Sequence, residues 1–409
     1  MKRSLLLLLL ALPASGLDFN DPRAVVAAAL ESHPTLTRMR AEAAAARERV
    51  APAASLPNPM LMAGVQNKQV DLRDDEMMTM YMVGVSQTLV RREKRDARRD
   101  AAELEALAAE KQIDSARAEI ERNVLLAWYE LGATDAQLAA TARIREMIDA
   151  VVASARVRYE VGTAMQADVI RAQLQGSDLD HETLRLRGTR RAVATRLLSL
   201  IGLPVDTIIP PVTMPENTDD LAIDAPAAPP DDHPALLALQ AEVGRAEEEI
   251  RLMKLDLRPD LDLEAQYGFR PTQRDMFSVV ARIELPFRAK QTVEPRVREA
   301  ILRRTAAMIR IAEVRRELTS AMAEAVVAHE EATNQMHFHH EVLVPQAQLA
   351  FESTLAAYQT GNAPFDAILT TQTDYLRLRL QYFDFLLRHA QAVVSYEALR
   401  NGAAGSMKP

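Results

Sequence analysis

The chain has 409 residues, of which 57 are acidic and 49 are lysine or arginine, so its formal net charge is −8. This acidic balance argues against nucleic acid as a partner, because a phosphate-binding protein needs a basic surface. The sequence contains no cysteine, so we expect neither disulfide bonds nor a lipid anchor attached to a cysteine. With only 13 glycines and 4% aromatic residues, the composition favours helices.

The first 16 residues have the three-part pattern of a secretory signal peptide. Lys2 and Arg3 form a positive start, residues 4–12 form an apolar run, and residues 13–16 form a small-residue end. The apolar run is about half of the ~20 residues that a membrane-spanning helix needs. We therefore expect residues 1–16 to direct export and to be removed near Gly16.

The rest of the chain repeats the same order of landmarks with a period of about 200 residues. In each half a His-Pro pair opens a helix, a proline precedes a hairpin, a long helix ends in a Tyr-x-x-Gly turn, and a last helix ends at a glycine. The matched positions are His33 and His233, Pro57 and Pro259, Tyr159 and Tyr358, Gly162 and Gly361, Asp168 and Asp366, and Gly202 and Gly402. We therefore predict a first repeat over 17–202, a proline-rich linker over 203–232, a second repeat over 233–402 and a disordered tail over 403–409.

The first half contains a predicted β-hairpin, at about residues 58–89, with strand segments 60–67 and 78–89. Its alternation of apolar and polar residues is weak, and a slip of one residue would exchange the two faces of a strand. The sequence leaves two choices for the apolar face, either Tyr81, Val83, Val85 and Leu89 or Met78, Met80 and Met82.

Residues 93–160 are predicted to form one helix of about 68 residues, roughly 100 Å long. The segment has no proline and one glycine, Gly132. A helix of this length needs partners along its side. Apolar residues with helical spacing are Ile144, Met147, Ile148, Val151, Val152, Ala155 and Tyr159. In the second half, coiled-coil spacing is seen at Phe365, Leu369, Leu376, Leu380, Phe383, Leu387, Ala390 and Val394.

The second hairpin, at about residues 260–286, has a much clearer pattern. Residues 261–270 alternate strictly between apolar odd positions and polar, charged or glycine even positions, and residues 277–285 form the partner strand. A strand of about 10 residues can cross a bilayer when it is tilted, and this alternation is typical of a transmembrane barrel. A soluble sheet that covers a helix is the alternative. In a barrel, the lumen would be lined by Asp262, Glu264, Gln266, Arg282 and Glu284.

Four strands are too few to close a barrel, since the smallest well-filled barrels use about eight. Unpaired strand edges are not tolerated in hydrocarbon, because no water is present to bond their backbone groups. We therefore expect several copies of the chain to pool their strands.

Five segments resemble those of the TolC-type outer-membrane efflux proteins: ARVRYEVGTAMQADVIRAQL, STLAAYQTGNAPFDAILTTQTDYL, VGVSQTLVRREKRDARRDAA, VARIELPF and RLLSLIGLP. The resemblance covers roughly residues 22–402. It implies a mainly α fold with a small β part, in which long periplasmic coiled-coil helices accompany four transmembrane strands per chain. A homotrimer would then form a 12-stranded barrel and a helical tunnel. The segment RYEVGTAMQADVIRAQLQ looks closest to the CzcC-like branch, which serves heavy-metal exporters.

The resemblance also implies partners and sites. The barrel would contact outer-membrane lipid, and the periplasmic tips would dock an adaptor protein that joins an inner-membrane pump, of resistance-nodulation-division (RND) type. The docking residues would be Tyr159, Gly162, Thr163, Tyr358, Gly361 and Asn362, and the inner constriction would contain Asp366 and Asp168. Ordinary turn chemistry would also favour these glycines, and a helix dipole would favour Asp168, so both interpretations remain open.

Other candidate ligands are better explained by packing. His329, His337, His339 and His340 lack the spacing of a tetrahedral metal site. The methionines at 60, 62, 77, 78, 80 and 82 could bind a soft metal, but strand packing or lipid contact is the favoured interpretation. No P-loop, Gly-x-Ser-x-Gly, His-Glu-x-x-His or dinucleotide motif is present. We therefore expect no enzyme and no cofactor.

Together these patterns and the resemblance predict an outer-membrane channel-tunnel subunit of a tripartite efflux system in a Gram-negative bacterium, with heavy-metal cations as the expected cargo. Two alternatives remain open. One is a periplasmic coiled-coil scaffold without a pore. The other is the same channel serving drug efflux or type I protein secretion.

Overall fold

A computed structural model describes residues 17–68, 78–214, 223, 228–271 and 273–402. The predicted signal peptide, the predicted tail and the larger part of the second half of the linker lie outside the described residues. Within them the chain is mainly helical with one small antiparallel sheet, as the sequence predicts. No helix among the described residues is both long and apolar enough to cross a membrane.

The elements follow the predicted order closely. The long predicted helix is confirmed almost to the residue, and both His-Pro pairs open helices. In chain order the elements are α1 (Pro22–Ser32), α2 (Pro34–Glu48), α3 (Val50–Ala54), β1 (Met60–Gln66), β2 (Met80–Leu89), α4 (Arg92–Glu160), α5 (Gln166–Ile201), α6 (Pro234–Leu255), β3 (Leu261–Phe269), β4 (Met276–Ile283), α7 (Ala289–Phe338), a π-helical segment (His339–Leu343), α8 (Val344–Gln359) and α9 (Phe365–Asn401).

The chain folds as two compact units, and each combines segments from both predicted repeats. We call one the helical unit; it contains the described residues up to Thr37, those within Asp114–His233 and those from Arg316 onward. We call the other the sheet unit; it contains the described residues within Arg38–Ile113 and Pro234–Arg315. The two repeats of the sequence therefore do not coincide with the two compact units of the fold.

In the sheet unit, the four strands form a single antiparallel sheet in the order β1-β2-β3-β4. The register pairs Val65 with Tyr81, Tyr81 with Phe269, and Tyr267 with Phe277. Because cross-strand partners point to the same face, all odd-numbered strand residues share one face and all even-numbered residues share the other. This pairing settles the choice that the sequence left open, because it aligns Tyr81, Val83, Val85 and Leu89 with the apolar residues of the second hairpin.

Charged contacts hold the end of this sheet at which α4 begins. Lys94 is buried, and its Nζ lies 3.0 Å from Oδ2 of Asp260 and 3.7 Å from Oδ1 of Asp256. The backbone N–H of Arg91 donates to Oδ1 of the same Asp260 at 3.1 Å. A buried ammonium needs such partners, because an unpaired charge would be costly to remove from water.

In the helical unit, α4, α5, α8 and α9 pack around an apolar core. Ile144, Ile148 and Val151 of α4 are buried in it, as their spacing predicts, against Leu179 and Phe351. Tyr159 departs from the predicted apolar face, because it lies at the end of α4 and is 45% exposed.

The buried face of α9 differs from the predicted one. The structure buries Phe365, Phe383, Ala390 and Val394 as predicted, but Leu369, Leu376, Leu380 and Leu387 are only half-buried. The heptad positions that face the core are Phe365, Ile368, Gln372, Tyr382, Leu386, His389, Val393 and Tyr396. Two polar residues therefore occupy the core seam, where the sequence predicts apolar ones.

Candidate functional site

The first Tyr-x-x-Gly segment forms a tight turn between α4 and α5. Gly162 has a φ of +78°, in the left-handed region that favours glycine. The N–H of Thr163 donates to the carbonyl of Arg158 at 2.8 Å, and its Oγ1 donates to the same oxygen at 3.1 Å. These bonds satisfy a carbonyl that the end of α4 would otherwise leave open.

The second Tyr-x-x-Gly segment forms a turn of the same geometry between α8 and α9. Gly361 has a φ of +84°, and the N–H of Asn362 donates to the carbonyl of Ala357 at 2.8 Å. In both turns this bond spans five residues, which is the pattern of a glycine-terminated helix. The predicted internal repeat is thus reproduced in backbone detail at these two turns.

Arg158 links the two turns within the helical unit. Its guanidinium donates to the carbonyl oxygen of Tyr358 and lies over the Tyr358 ring, 4.5 Å from the ring centroid. A second link joins Nη1 of Arg171 to Oδ1 of Asp366 at 2.6 Å. Both contacts are charge-assisted, which makes them stronger than neutral hydrogen bonds.

Tyr358 is buried between this guanidinium and the ring of Phe365, which it meets edge to face with ring centroids 5.7 Å apart. Burial raises the pKa of its phenol above the usual value, although the nearby Arg158 acts in the opposite direction. Its hydroxyl has no hydrogen-bond partner among the described residues. Of the predicted docking residues, Tyr159, Gly162, Thr163, Gly361 and Asn362 are exposed, whereas Tyr358 is not.

The two predicted constriction residues have different surroundings. Asp168 lies in the first turn of α5, where its Oδ2 accepts the N–H of Met165 at 3.3 Å. Such a carboxylate caps the helix and fits its dipole. Asp366 lies in the first turn of α9, and its exposed carboxylate is held by Arg171. The structure therefore gives Asp168 a local role, while Asp366 presents its charge outward.

The odd-numbered face of the sheet is apolar and exposed. Leu61 is 80% exposed, Phe277 is 69% exposed and Val279 is 64% exposed. Tyr81, Val83, Tyr267 and Phe269 also lie on this face and are exposed. An apolar surface shared by four strands would not remain in water in a stable protein.

The even-numbered face carries the predicted lumen residues. Asp262, Glu264, Gln266 and Arg282 all lie on it, and the Arg282 guanidinium pairs with the Glu264 carboxylate. Thr88 of β2 donates its hydroxyl to Asp262 across the strands. Glu284, the fifth predicted residue, follows the end of β4 and is exposed.

The histidines pack against aromatic rings. His339 packs against Phe385 at a tilt, with ring centroids 4.9 Å apart, and His340 stacks on Tyr382 with centroids 5.2 Å apart. The sequence pattern did not identify the partner of His329, which is His389 on α9, with ring centroids 4.7 Å apart. Among the described residues, no group of three histidine or carboxylate side chains is arranged to hold a metal ion.

Comparison with known protein sequences identifies a family but no individual relative. The family model described as outer membrane efflux protein matches residues 25–203 and 231–402. No curated protein sequence matches the chain significantly.

Solved structures of outer-membrane proteins match nearly the whole chain. VceC of Vibrio cholerae is 18% identical, with 93% of this chain and 96% of that one covered and a TM-score of 0.77. The outer-membrane channel OprN is 14% identical, with 94% and 91% covered and a TM-score of 0.78. The outer membrane channel MtrE of Neisseria gonorrhoeae, solved in its open state, is 14% identical, with 94% and 89% covered and a TM-score of 0.76. At these identities the likeness shows the fold.

Proposed function

Because this chain belongs to the outer membrane efflux protein family, we propose that it is one subunit of a trimeric channel-tunnel. In this proposal the sheet lies in the outer membrane of a Gram-negative bacterium and the helices extend into the periplasm. The channel conducts substrates that an inner-membrane pump, of RND type, delivers through a periplasmic adaptor. Its role is conduction, and we assign it no catalytic step.

The observation that carries the proposal is the sheet with two unlike faces and two open edges. The odd-numbered face is apolar and exposed, and the even-numbered face carries charges and amides. Among the described strands, β1 and β4 each pair on one side only. Lipid on one face, water on the other and pairing of β4 with β1 of a second copy would satisfy all three features.

Strand number supports a trimer. The described residues of each chain contribute four strands, so three copies would supply twelve. That number exceeds the roughly eight strands of the smallest filled barrels and leaves room for a wet lumen. Asp262, Glu264, Gln266, Arg282 and Glu284 would line that lumen. Water there would hydrate the charges that a dry interior would penalise.

The two glycine turns are proposed as the adaptor-docking tips. Tyr159, Gly162, Thr163, Gly361 and Asn362 are exposed there and available to a partner. Tyr358 would contribute by holding the second turn against Arg158. Asp366 would form the anionic constriction with its copies, and the link to Arg171 would set how far its carboxylate reaches into the pore.

The cargo is proposed to be heavy-metal cations. This rests on the likeness of RYEVGTAMQADVIRAQLQ to the CzcC-like branch and on the acidic net charge of the chain. Drug efflux and type I protein secretion use the same architecture and would differ in the cognate pump.

The proposal is tested on the full chain expressed with its leader. We expect it to fractionate with the outer membrane, to run as a trimer that dissociates on heating in SDS, and to conduct ions in a planar bilayer. A soluble monomer in the periplasm would overturn the proposal and favour the coiled-coil scaffold. To test cargo, a strain lacking the chain is compared with wild type for tolerance of zinc, silver and a detergent.

A further inference from the structure

Five methionines lie on the even-numbered face of the sheet, where polar residues are expected. The register places Met60 and Met62 of β1, Met80 and Met82 of β2, and Met276 of β4 on this face. A hydrophobic reason for them is weak, because the same face carries the charged residues described above. In the proposed channel this face lies against water, so thioethers on it call for a separate explanation.

The methionines are matched with glycines across the strands. Each of the three glycines in the described strands pairs with at least one methionine: Gly84 with Met62, Gly64 with Met82, and Gly268 with both Met82 and Met276. Glycine has no side chain, so the space above it is open to its neighbours. The Met80 thioether already occupies the place where a Cβ on residue 268 would lie.

Three thioethers can meet above Gly268. Neighbouring strands lie about 4.8 Å apart, so Met82 and Met276, on either side of Gly268, have Cα atoms separated by roughly 10 Å. Methionine side chains are long and flexible enough to bridge such a gap from both sides. Met276 presently accepts a contact from the Arg270 guanidinium, so its side chain would turn away from Arg270 to join Met80 and Met82.

We propose that Met80, Met82 and Met276 form a binding site for a soft monovalent cation, Cu(I) or Ag(I). Thioether sulfur is a soft, neutral ligand that selects Cu(I)-like ions over harder divalent cations, which prefer imidazole, thiolate or carboxylate. A neutral ligand releases no proton on binding, so the affinity is independent of pH. The inference rests on the proposed function, because in a channel this face lines the conduction path and the site defines the class of cargo.

The test uses the purified full chain in detergent, with Ag(I) as the probe because it needs no reductant. Metal retained after equilibrium dialysis is measured at mildly acidic and mildly alkaline pH, with Zn(II) in parallel. The variant is Met80→Leu/Met82→Leu/Met276→Leu, which conserves side-chain volume. The control is Met165→Leu/Met308→Leu, which removes exposed methionines outside the sheet.

We expect wild type and the control to retain one Ag(I) per chain at both pH values and the triple variant to retain none. Equal Ag(I) retention by all three proteins, or no retention by any, would overturn the inference and leave packing above glycine as the role of the methionines. Loss of binding at acidic pH, with competition by Zn(II), would overturn it in favour of carboxylate ligands. Single-channel conductance of the same samples separates the two proposals, because a conducting wild type without Ag(I) binding rejects the thioether site alone.

Discussion

Val279→Lys is expected to keep the chain out of the membrane. Val279 lies on the odd-numbered face, is 64% exposed and pairs across the strands with the small Ala265, which cannot shield a lysine. In the proposed barrel this face meets lipid, so the new ammonium would replace a methyl group in hydrocarbon.

The magnitude follows from the position of Val279 in β4. At about 3.4 Å per residue and a tilt of about 45°, each residue advances roughly 2.4 Å along the membrane normal. Val279 is the fourth of the eight residues of β4, so it lies about 7 Å from one strand end and about 10 Å from the other. A lysine that deep in an apolar band costs about 2–4 kcal/mol, a factor of about 30 to 700 for each chain.

Ser278→Lys is the matched control, because Ser278 precedes Val279 in the same strand and lies on the even-numbered face opposite Gln266. Outer-membrane fractionation and the heat-dissociable trimer band measure insertion of both variants. We expect Ser278→Lys to insert and to shift ion selectivity towards anions, and Val279→Lys to be lost from the membrane fraction. Equal insertion of the two variants would refute the lipid-facing role of the odd-numbered face, and exclusion of Ser278→Lys alone would show that the faces are inverted.

Three further predictions concern the helical unit. Arg158→Ala removes the guanidinium that holds Tyr358, so we expect the second turn to lose about 1 kcal/mol and to exchange its amide hydrogens faster. Gly361→Ala forces an alanine into the left-handed backbone region and should lower the stability by about 1 kcal/mol. Gly188 lies in mid-helix with open space around it, so Gly188→Ala should raise the stability by about 0.5–1 kcal/mol. Thermal unfolding measures both changes. Burial holds the pKa of His233 below its usual 6.5, so the unfolded chain takes up the proton first and stability falls as the pH drops from 6.5 towards the folded-state pKa. His233→Gln should remove that part of the acid-induced fall in the unfolding midpoint.

The sequence predicts the sheet only in part, and β2 shows why. The second hairpin has strict alternation, so its faces are clear from the residues alone. In β2 both faces carry large apolar residues, such as Tyr81 on one and Met82 on the other, and no period-2 contrast distinguishes them. Pairing with β3 supplies the missing information, because Tyr81 lies opposite Phe269 and Met82 lies opposite Gly268. The register is a tertiary property of the four strands together.

For a related reason, the sequence pattern places the buried face of α9 one residue away from its observed position at several turns. Apolar residues occupy neighbouring positions along α9, so two heptad registers fit the pattern almost equally. The leucines indicate the heptad register that the structure does not adopt. The core instead contains Gln372 and His389, which a sequence pattern assigns to the surface. Both amide atoms of Gln372 are buried without a hydrogen-bond partner among the described residues. Polar residues in a seam reduce stability and favour one register over others.

The π-helical segment was not predicted, although a signal for it exists. Residues 296–344 contain neither proline nor glycine, which favours one unbroken helix. Pro345 follows directly and has no N–H to donate, so the α-helical ladder loses a bond there. The N–H of Val344 instead reaches back five residues to the carbonyl of His339. The wider turn accommodates the proline and rotates His339 and His340 onto the rings of α9.

The two Tyr-x-x-Gly turns show which structural features a sequence repeat determines and which it does not. Their backbones agree, because local bonds and a left-handed glycine set the geometry wherever the motif occurs. Their tyrosines differ in burial, because burial depends on neighbouring residues that the repeat does not reproduce. Tyr159 lies exposed at the end of α4, whereas Tyr358 is enclosed by Arg158 and Phe365. In the proposed docking, a partner would reach the Tyr159 side chain directly, whereas Tyr358 would act only by holding its turn in place. The threefold assembly that we propose would consequently present two chemically different tips from each chain.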